Sequence, residues 1–250
     1  MNILVTAGNT LVPIDRVRGI TNIFTGRTGT RIALQAHERG HHVTLLTSHP
    51  EVVAEERDTQ AAPAERWSVW AYHTFVHLQD HLHNLVSQGG LDAIIHCAAV
   101  SDYQPAGIYA PDATTHFRIQ DGHWESSAPS PPTLVDRAAG KVKSDEPELW
   151  LRLVRTPKLI DRIRFDWGFR GILVKFKLEV GIGEEELLTI AERSRRQSAA
   201  DLMVANTLEG APYWAYLGPL EGTYQRVNRA DLAGRLLDAV ERVYKEGDHG

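Results

Sequence analysis

A single cysteine, Cys97, is all the thiol chemistry this chain has, which excludes an intramolecular disulfide and a cysteine-rich metal site and fits a reducing compartment. No apolar run approaches the roughly 18 residues needed to span a bilayer, and MNILVTAGNT at the start lacks the basic region and longer apolar core of a secretion signal. The expectation is a cytoplasmic protein that does not meet a membrane. Strong charge of one sign is also missing: the formal net charge is −5 and the 27 basic residues are dispersed, so no nucleic-acid stripe is indicated. No Gly/Ser/Pro linker divides the 250 residues, of which 42% are hydrophobic, and the sequence predicts one domain over 1–250 with one sizeable core. Absent motifs narrow the chemistry further. There is no Gly-x-Ser-x-Gly elbow, no Walker A loop, no full Gly-x-Gly-x-x-Gly, and no tyrosine followed four residues later by lysine. That counts against a serine hydrolase, a P-loop kinase, an ordinary dinucleotide dehydrogenase and a short-chain reductase.

What is present is strand and helix in alternation. Residues 2–6 and 42–47 read as buried strands flanking a helix over 31–39, whose Ile32, Ala33, Leu34 and Ala36 form one apolar stripe, a unit of the doubly wound type. A polar loop is expected over 50–65, a short apolar run at 67–71 and a helix over 76–86. Further strands are expected at 91–99, 149–154, 171–178 and 201–206, with helices near 158–164 and from Glu184 onward. A terminal hairpin over 213–217 and 223–227 precedes a last helix with Leu232, Leu236, Val240 and Val243 on one face. The fold class is therefore α/β: Rossmann-like, doubly wound, mostly parallel, with a C-terminal hairpin plus helix. Residues 105–140 break the alternation with prolines at 105, 111, 129, 131 and 132, and read as an irregular insertion, with 105–145 as a flap.

The stretch from Leu4 to Gly29 runs from a strand through turn formers to a Gly-x-x-Gly step that feeds a helix. This puts Asn22, Thr25, Gly26, Arg27 and Gly29 where backbone N–H groups and the helix dipole favour an anion, although Gly and Thr there are equally ordinary capping chemistry. Other pieces stand at the carboxyl ends of expected strands: AAVSDYQP (98–105), FKLE (176–179) and VANTLE (204–209), with KVKSD (141–145) just after the insertion. His73, His77 and His81 share helical spacing beside Asp80, but surface histidines commonly decorate a helix, and no metal site is assigned.

Read in order, VTAGNTxxPID, VRxITN, TGRTG, AAVSDY, KVK, TPKLI and VAN resemble the phosphopantothenate–cysteine ligase family, the phosphopantothenoylcysteine synthetase domain of coenzyme A biosynthesis. The resemblance covers most of the chain from Ile3 to about Glu209, and the expectation is a synthetase without a preceding flavoprotein decarboxylase half. It implies a homodimeric ligase that joins 4′-phosphopantothenate to cysteine through an acyl-nucleotide, using CTP or ATP with Mg²⁺. Position by position it implies that Asn22 and Arg18 meet the acyl-nucleotide and that Lys141 of the flap faces the nucleotide phosphates. Ala98, Ala99, Asp102, Pro157, Lys158, Leu159, Ile160 and Phe176 fall at the nucleotide, while Thr25, Gly26, Arg27 and Asn206 fall at the substrate.

The chain departs from that pattern at several places. Leu11 and Val12 replace Arg-Glu, Ser144 stands for the fourth flap lysine, and Lys175-Phe176-Lys177-Leu178-Glu179 stands for Gly-Phe-Ala-Ala-Glu. Two lysines of the next helix fall at Ser194 and Ser198, and Arg193, Arg195, Arg196 or Lys177 are candidates for the missing charge. Phe-Lys-Leu-Glu, Ala-Ala-Val-Ser-Asp and the long insertion resemble the eukaryotic branch, which uses ATP. The lost lysines leave a second reading open, a catalytically silent homologue that binds a nucleotide or acyl phosphate and acts through a partner.

Overall fold

The computed structural model describes residues 1–56 and 65–247. In chain order the elements are β1 (Asn2–Ala7), β2 (Leu11–Pro13), β3 (Gly19–Thr21), α1 (Arg27–Glu38), β4 (His42–Thr47), α2 (Glu51–Glu56) and β5 (Trp67–Ala71). There follow α3 (Phe75–Gln88), β6 (Ala93–His96), β7 (Tyr103–Pro111), β8 (Thr115–Arg118), β9 (His123–Ser126), β10 (Leu134–Asp136) and β11 (Trp150–Arg155). The chain ends with α4 (Leu159–Phe165), β12 (Ile172–Glu179), α5 (Glu184–Gln197), β13 (Leu202–Thr207), β14 (Trp214–Leu220), β15 (Thr223–Asn228) and α6 (Leu232–Gly247). Two compact units emerge, one of 1–10, 23–100 and 158–250, the other of 11–22 and 101–157.

The first unit is built on an eight-stranded sheet in the order β15-β14-β13-β12-β6-β1-β4-β5. All neighbours from β5 to β13 run parallel, and only β14 and β15 are antiparallel. Counting the six parallel strands alone, the order is 3-2-1-4-5-6, with its switch point between β1 and β6. The sheet is covered on both faces because its strands are apolar on both. Ile3, Val5 and Ala7 of β1 pack with Ile32, Ala33, Leu34 and Ala36 of α1 and with Leu236, Leu237 and Val240 of α6. Leu4, one residue out of phase, turns to the opposite face with Leu78 and Leu82 of α3 and Leu159 and Ile163 of α4. Burial of these side chains contributes about 1.5–3 kcal/mol each, which fixes the strand register. The doubly wound, mostly parallel fold with its C-terminal hairpin and helix is thus as expected. Two corrections apply here: α2 occupies the start of the region read as a polar loop, and β6 is shorter than the run 91–99. The rest of that loop, 57–64, lies outside the described residues.

The second unit corrects the reading of 105–140 as irregular. It holds a three-stranded antiparallel sheet, β10-β7-β11, and two hairpins, β2-β3 and β8-β9. Prolines disguised β7, yet each sits where a missing N–H costs little. Pro105 faces Leu153 beside the irregularity in the β11 ladder and outside the reach of β10, whereas Pro111 ends the strand opposite Leu134. Phe117, Trp124 and Trp150 form a small aromatic core with centroids 4.6–5.1 Å apart, which ties the β8-β9 hairpin to β11.

Candidate active site

In the first unit the crevice at the carboxyl ends of β1 and β6 is shaped by Gly8 and Gly26. Both have positive φ, 87° and 85°, and a Cβ on Gly26 would lie 2.3 Å from the Gly8 nitrogen. Only glycine lets the start of α1 press on the end of β1 this closely. The Gly8 carbonyl accepts from the Ala99 amide at 2.8 Å, and Asn9 continues the pairing with Ala99 past the end of β6. Gly26 and Ala99 therefore meet at one residue. Gly26 is the N-cap of α1 and no side chain caps the helix, nor does any acidic residue occupy its first turn. The Gly29 amide of that first turn is taken by the Cys97 side chain, while the positive end of the helix dipole there still favours an anion.

Thr25 is exposed just ahead of that helix. Arg27, its first residue, is turned to Glu55 and Glu56, at 2.5 and 2.7 Å, and those two hydrogen bonds raise its pKa, Glu56 leading. Its charge is thus largely spoken for by α2. Ala98, half-buried, donates its amide to Thr6 Oγ1 at 3.1 Å, and Thr6 Oγ1 lies 3.0 Å from His96 Nδ1. Lys158 is the exposed N-cap of α4, whereas Leu159 and Ile160 are core residues at 1% and 7% exposure, so their side chains are taken up by packing. Phe176 packs against the α1/α6 core, and Asn206 lies two pairs along the same ladder, opposite Leu178.

Lys175 is the residue that sequence reasoning left unassigned. β12 pairs it with His96, so Thr6, His96 and Lys175 form a polar row across three strands on the face that carries α3 and α4. Although 93% buried, its amine donates to the Ser194 carbonyl at 2.9 Å and to Ser198 Oγ at 2.5 Å, and Ser198 donates to Asp161 Oδ1 at 2.5 Å. Burial, chiefly, pulls the Lys175 pKa down to about 8 against the pull of Asp161, with Lys158 and Lys177 adding to the fall. Burial and the Lys175 charge together push His96 down to about 4. Of the other cations considered, Arg195 and Arg196 are bound to Glu192 and Lys177 to Glu179. The amine of Lys175 reaches Ser194 and Ser198, the two positions where the family pattern has lysines.

In the second unit, Arg18 forms an ion pair with Asp15 at 2.7 Å and donates to the Val142 carbonyl at 2.6 Å. Asp15 has no exposed side-chain surface and also accepts from the amides of Val17, Arg18 and Val142, which hold it well below the usual carboxylate range, Val17 foremost. Arg16 adds a backbone bond to Gly140 at 3.1 Å. The β2-β3 turn thereby clamps the backbone on either side of exposed Lys141. Asn22 follows β3 directly and belongs to this unit, a correction to the sequence reading that places it at the helix start. Asp102, exposed, accepts through its carbonyl from the Thr156 amide at 3.0 Å, which brings it beside Pro157. Among the described residues no three or more His, Cys, Asp and Glu side chains gather to hold a metal, so His73, His77 and His81 do not converge.

Comparison with known proteins gives the chain's relatives. The model for the DNA/pantothenate metabolism flavoprotein C-terminal domain matches residues 1–121. The chain is related to that domain. It is 30% identical over 249 residues to the coenzyme A biosynthesis bifunctional protein CoaBC of Thermococcus kodakarensis, covering 96% of this chain and 51% of that one. The chain spans about half the length of such bifunctional relatives. The DNA/pantothenate metabolism flavoprotein of Streptococcus pneumoniae superposes with a TM-score of 0.74 at 27% identity, covering 97% of this chain and 99% of that one. A Cab2 mutant solved in complex with phosphopantothenate-cysteine, 18% identical, shares the fold at a TM-score of 0.68 over 98% of this chain and 86% of that one. The resemblance drawn from the sequence motifs is borne out. No helix among the described residues is long and apolar enough to cross a membrane.

Proposed function

We propose that the protein is a phosphopantothenate–cysteine ligase, acting in the cytoplasm as a homodimer, with the two units serving one synthetase domain and 105–145 as its flap. The observation that carries the reading is the acid-free start of α1 pressed on the end of β1, where the helix dipole favours a phosphate, in a chain related over 96% of its length to a CoaBC of which it covers 51%. A carboxylate oxygen of 4′-phosphopantothenate attacks the α-phosphorus of a nucleoside triphosphate and expels pyrophosphate. The cysteine amine then attacks the acyl carbon, loses a proton to solvent and expels the nucleoside monophosphate. Both steps gather charge on phosphate oxygens, so fixed cations and aligned donors lower the barrier.

Asn22 and Arg18 orient the carboxylate, and Lys141 meets the departing phosphates. Asp102, Ala98, Ala99, Pro157, Lys158 and Phe176 serve the nucleotide, with Leu159 and Ile160 setting the path of the backbone from within the core. Thr25, Gly26 and Asn206 serve the substrate, with Arg27 available once Glu55 and Glu56 release it. The buried amine of Lys175 stands in for the two helix lysines. Mg²⁺ would arrive on the triphosphate, held by its oxygens, and would supply charge neutralisation there. The nucleoside triphosphate is CTP or ATP. Pyrophosphate release that requires 4′-phosphopantothenate, with 4′-phosphopantothenoylcysteine formed when cysteine is added, tests the assignment, and full activity in both Asn22→Ala and Lys141→Ala would sink it.

The engagement of Arg27 by two carboxylates and of Arg18 by Asp15 favours a second reading, a silent homologue that binds nucleotide or acyl phosphate without turnover. Calorimetry distinguishes the two. Nucleotide binding with no consumption of any carboxylate supports the silent form, and turnover removes it.

A further inference from the structure

A cavity of about 180 Å³ lies within the first unit, between the flank of α1 and the start of α6, lined by Thr28, Arg31, Gln35, Arg229, Leu232 and Ala233. Arg229 is the unusual member. Its side chain is half-buried and hydrogen-bonds to the Thr28 hydroxyl, and among the described residues no carboxylate pairs with it. Burial and the charge of Arg31 both work against its protonated form, Cys97 giving the only opposing pull. Arg31, by contrast, is already bound through two nitrogens to Glu56. A guanidinium taken from water beside a second one, with no counter-charge, is an arrangement that an anion completes. α6 starts just after Asp231, whose carbonyl accepts from the Arg235 amide, so the helix start carries its own carboxylate and the cavity's positive charge comes from Arg229 and Arg31.

We propose that this cavity binds a phosphate or phosphate monoester, with Arg229 as its principal ligand. Tetrahedral phosphate suits the donors better than a planar carboxylate does. A guanidinium fork from Arg229, the amide of Gln35 and the Thr28 hydroxyl come from separate side chains of the lining and can each offer a donor to a different oxygen. The apolar remainder, Leu232 and Ala233, accommodates a short carbon stem. The assignment does not depend on the ligase reading, because binding can be measured without turnover.

The test is a titration with inorganic phosphate followed by backbone and arginine side-chain NMR. Wild-type protein should show saturable shifts at Gln35, Arg229 and Ala233. Arg229→Gln should weaken binding roughly tenfold or more, whereas Arg27→Gln should leave these shifts in place. Ala233→Glu guards against a folding artefact, because a carboxylate in the first turn of α6 suits the helix while filling the cavity with its own anion; it too should abolish the shifts. A second titration with 4′-phosphopantothenate separates the sources: competition with phosphate identifies a phosphate monoester as the occupant, and independent binding identifies the free ion. Absence of saturable shifts in folded wild-type protein, or their persistence in both Arg229→Gln and Ala233→Glu, overturns the proposal.

Discussion

The amine of Lys175 on β12 lies 2.5 Å from the hydroxyl of Ser198 at the end of α5. A cation contributed by the strand thus arrives where the resembling family carries one on the helix. If Lys175 does the work of those lysines, Lys175→Met should weaken nucleotide binding about tenfold while leaving phosphopantothenate binding unchanged. The double variant Lys175→Gly, Ser198→Lys should recover most of the loss, because it returns the charge to the helix. Calorimetric titration with ATP and CTP reads both effects, and an unaltered nucleotide affinity in Lys175→Met would remove Lys175 from the account.

The row formed by Thr6, His96 and Lys175 makes stability depend on pH. His96 titrates at about 4 in the folded chain against 6.5 for an unperturbed histidine, so between those values the unfolded state holds more protons and stability rises with pH. Acidification from about 6.5 to about 4 should therefore cost on the order of 3 kcal/mol from this one group, before most carboxylates are protonated. Urea unfolding across that window checks it. His96→Asn should flatten the slope, and an equal slope in the variant would assign it elsewhere.

The Asp15–Arg18 pair clamps Val142 beside Lys141. Asp15→Ala removes the acceptor of the Val142 amide and frees Arg18, so hydrogen exchange at Val142 should accelerate strongly. If Lys141 acts on the nucleotide phosphates, the maximal rate should fall with it. Unchanged exchange at Val142 would show that the clamp does not hold in solution.

Gly26 joins a positive φ of 85° to a close approach on the Gly8 backbone. Gly26→Ala should destabilise the chain by roughly 2 kcal/mol or more, since neither the strain nor the backbone overlap can relax cheaply. Chemical denaturation measures the loss.

The parallel sheet was legible because its strands are unbroken apolar runs such as Ile94–Ile95 and Leu173–Val174, whose burial on both faces leaves one class of fold. The second unit was not, because prolines at 105 and 111 carry a loop signal that β7 overrides at a ladder irregularity and a strand end. In the candidate site, Gly26, Ala98 and Ala99 are legible from their neighbours in the chain. Lys175 was opaque because its partners, Ser194, Ser198 and His96, are set by sheet pairing and helix placement rather than by spacing. Arg229 carried no signal at all, being one arginine in a turn whose neighbour Thr28 lies 201 residues away.

Pyrophosphate release with 4′-phosphopantothenate, cysteine and a nucleoside triphosphate tests the central claim most directly. The account predicts release that depends on phosphopantothenate, yields 4′-phosphopantothenoylcysteine when cysteine is present, and is lost in Asn22→Ala and Lys141→Ala. Nucleotide binding by the wild-type chain without pyrophosphate release from any triphosphate would contradict it.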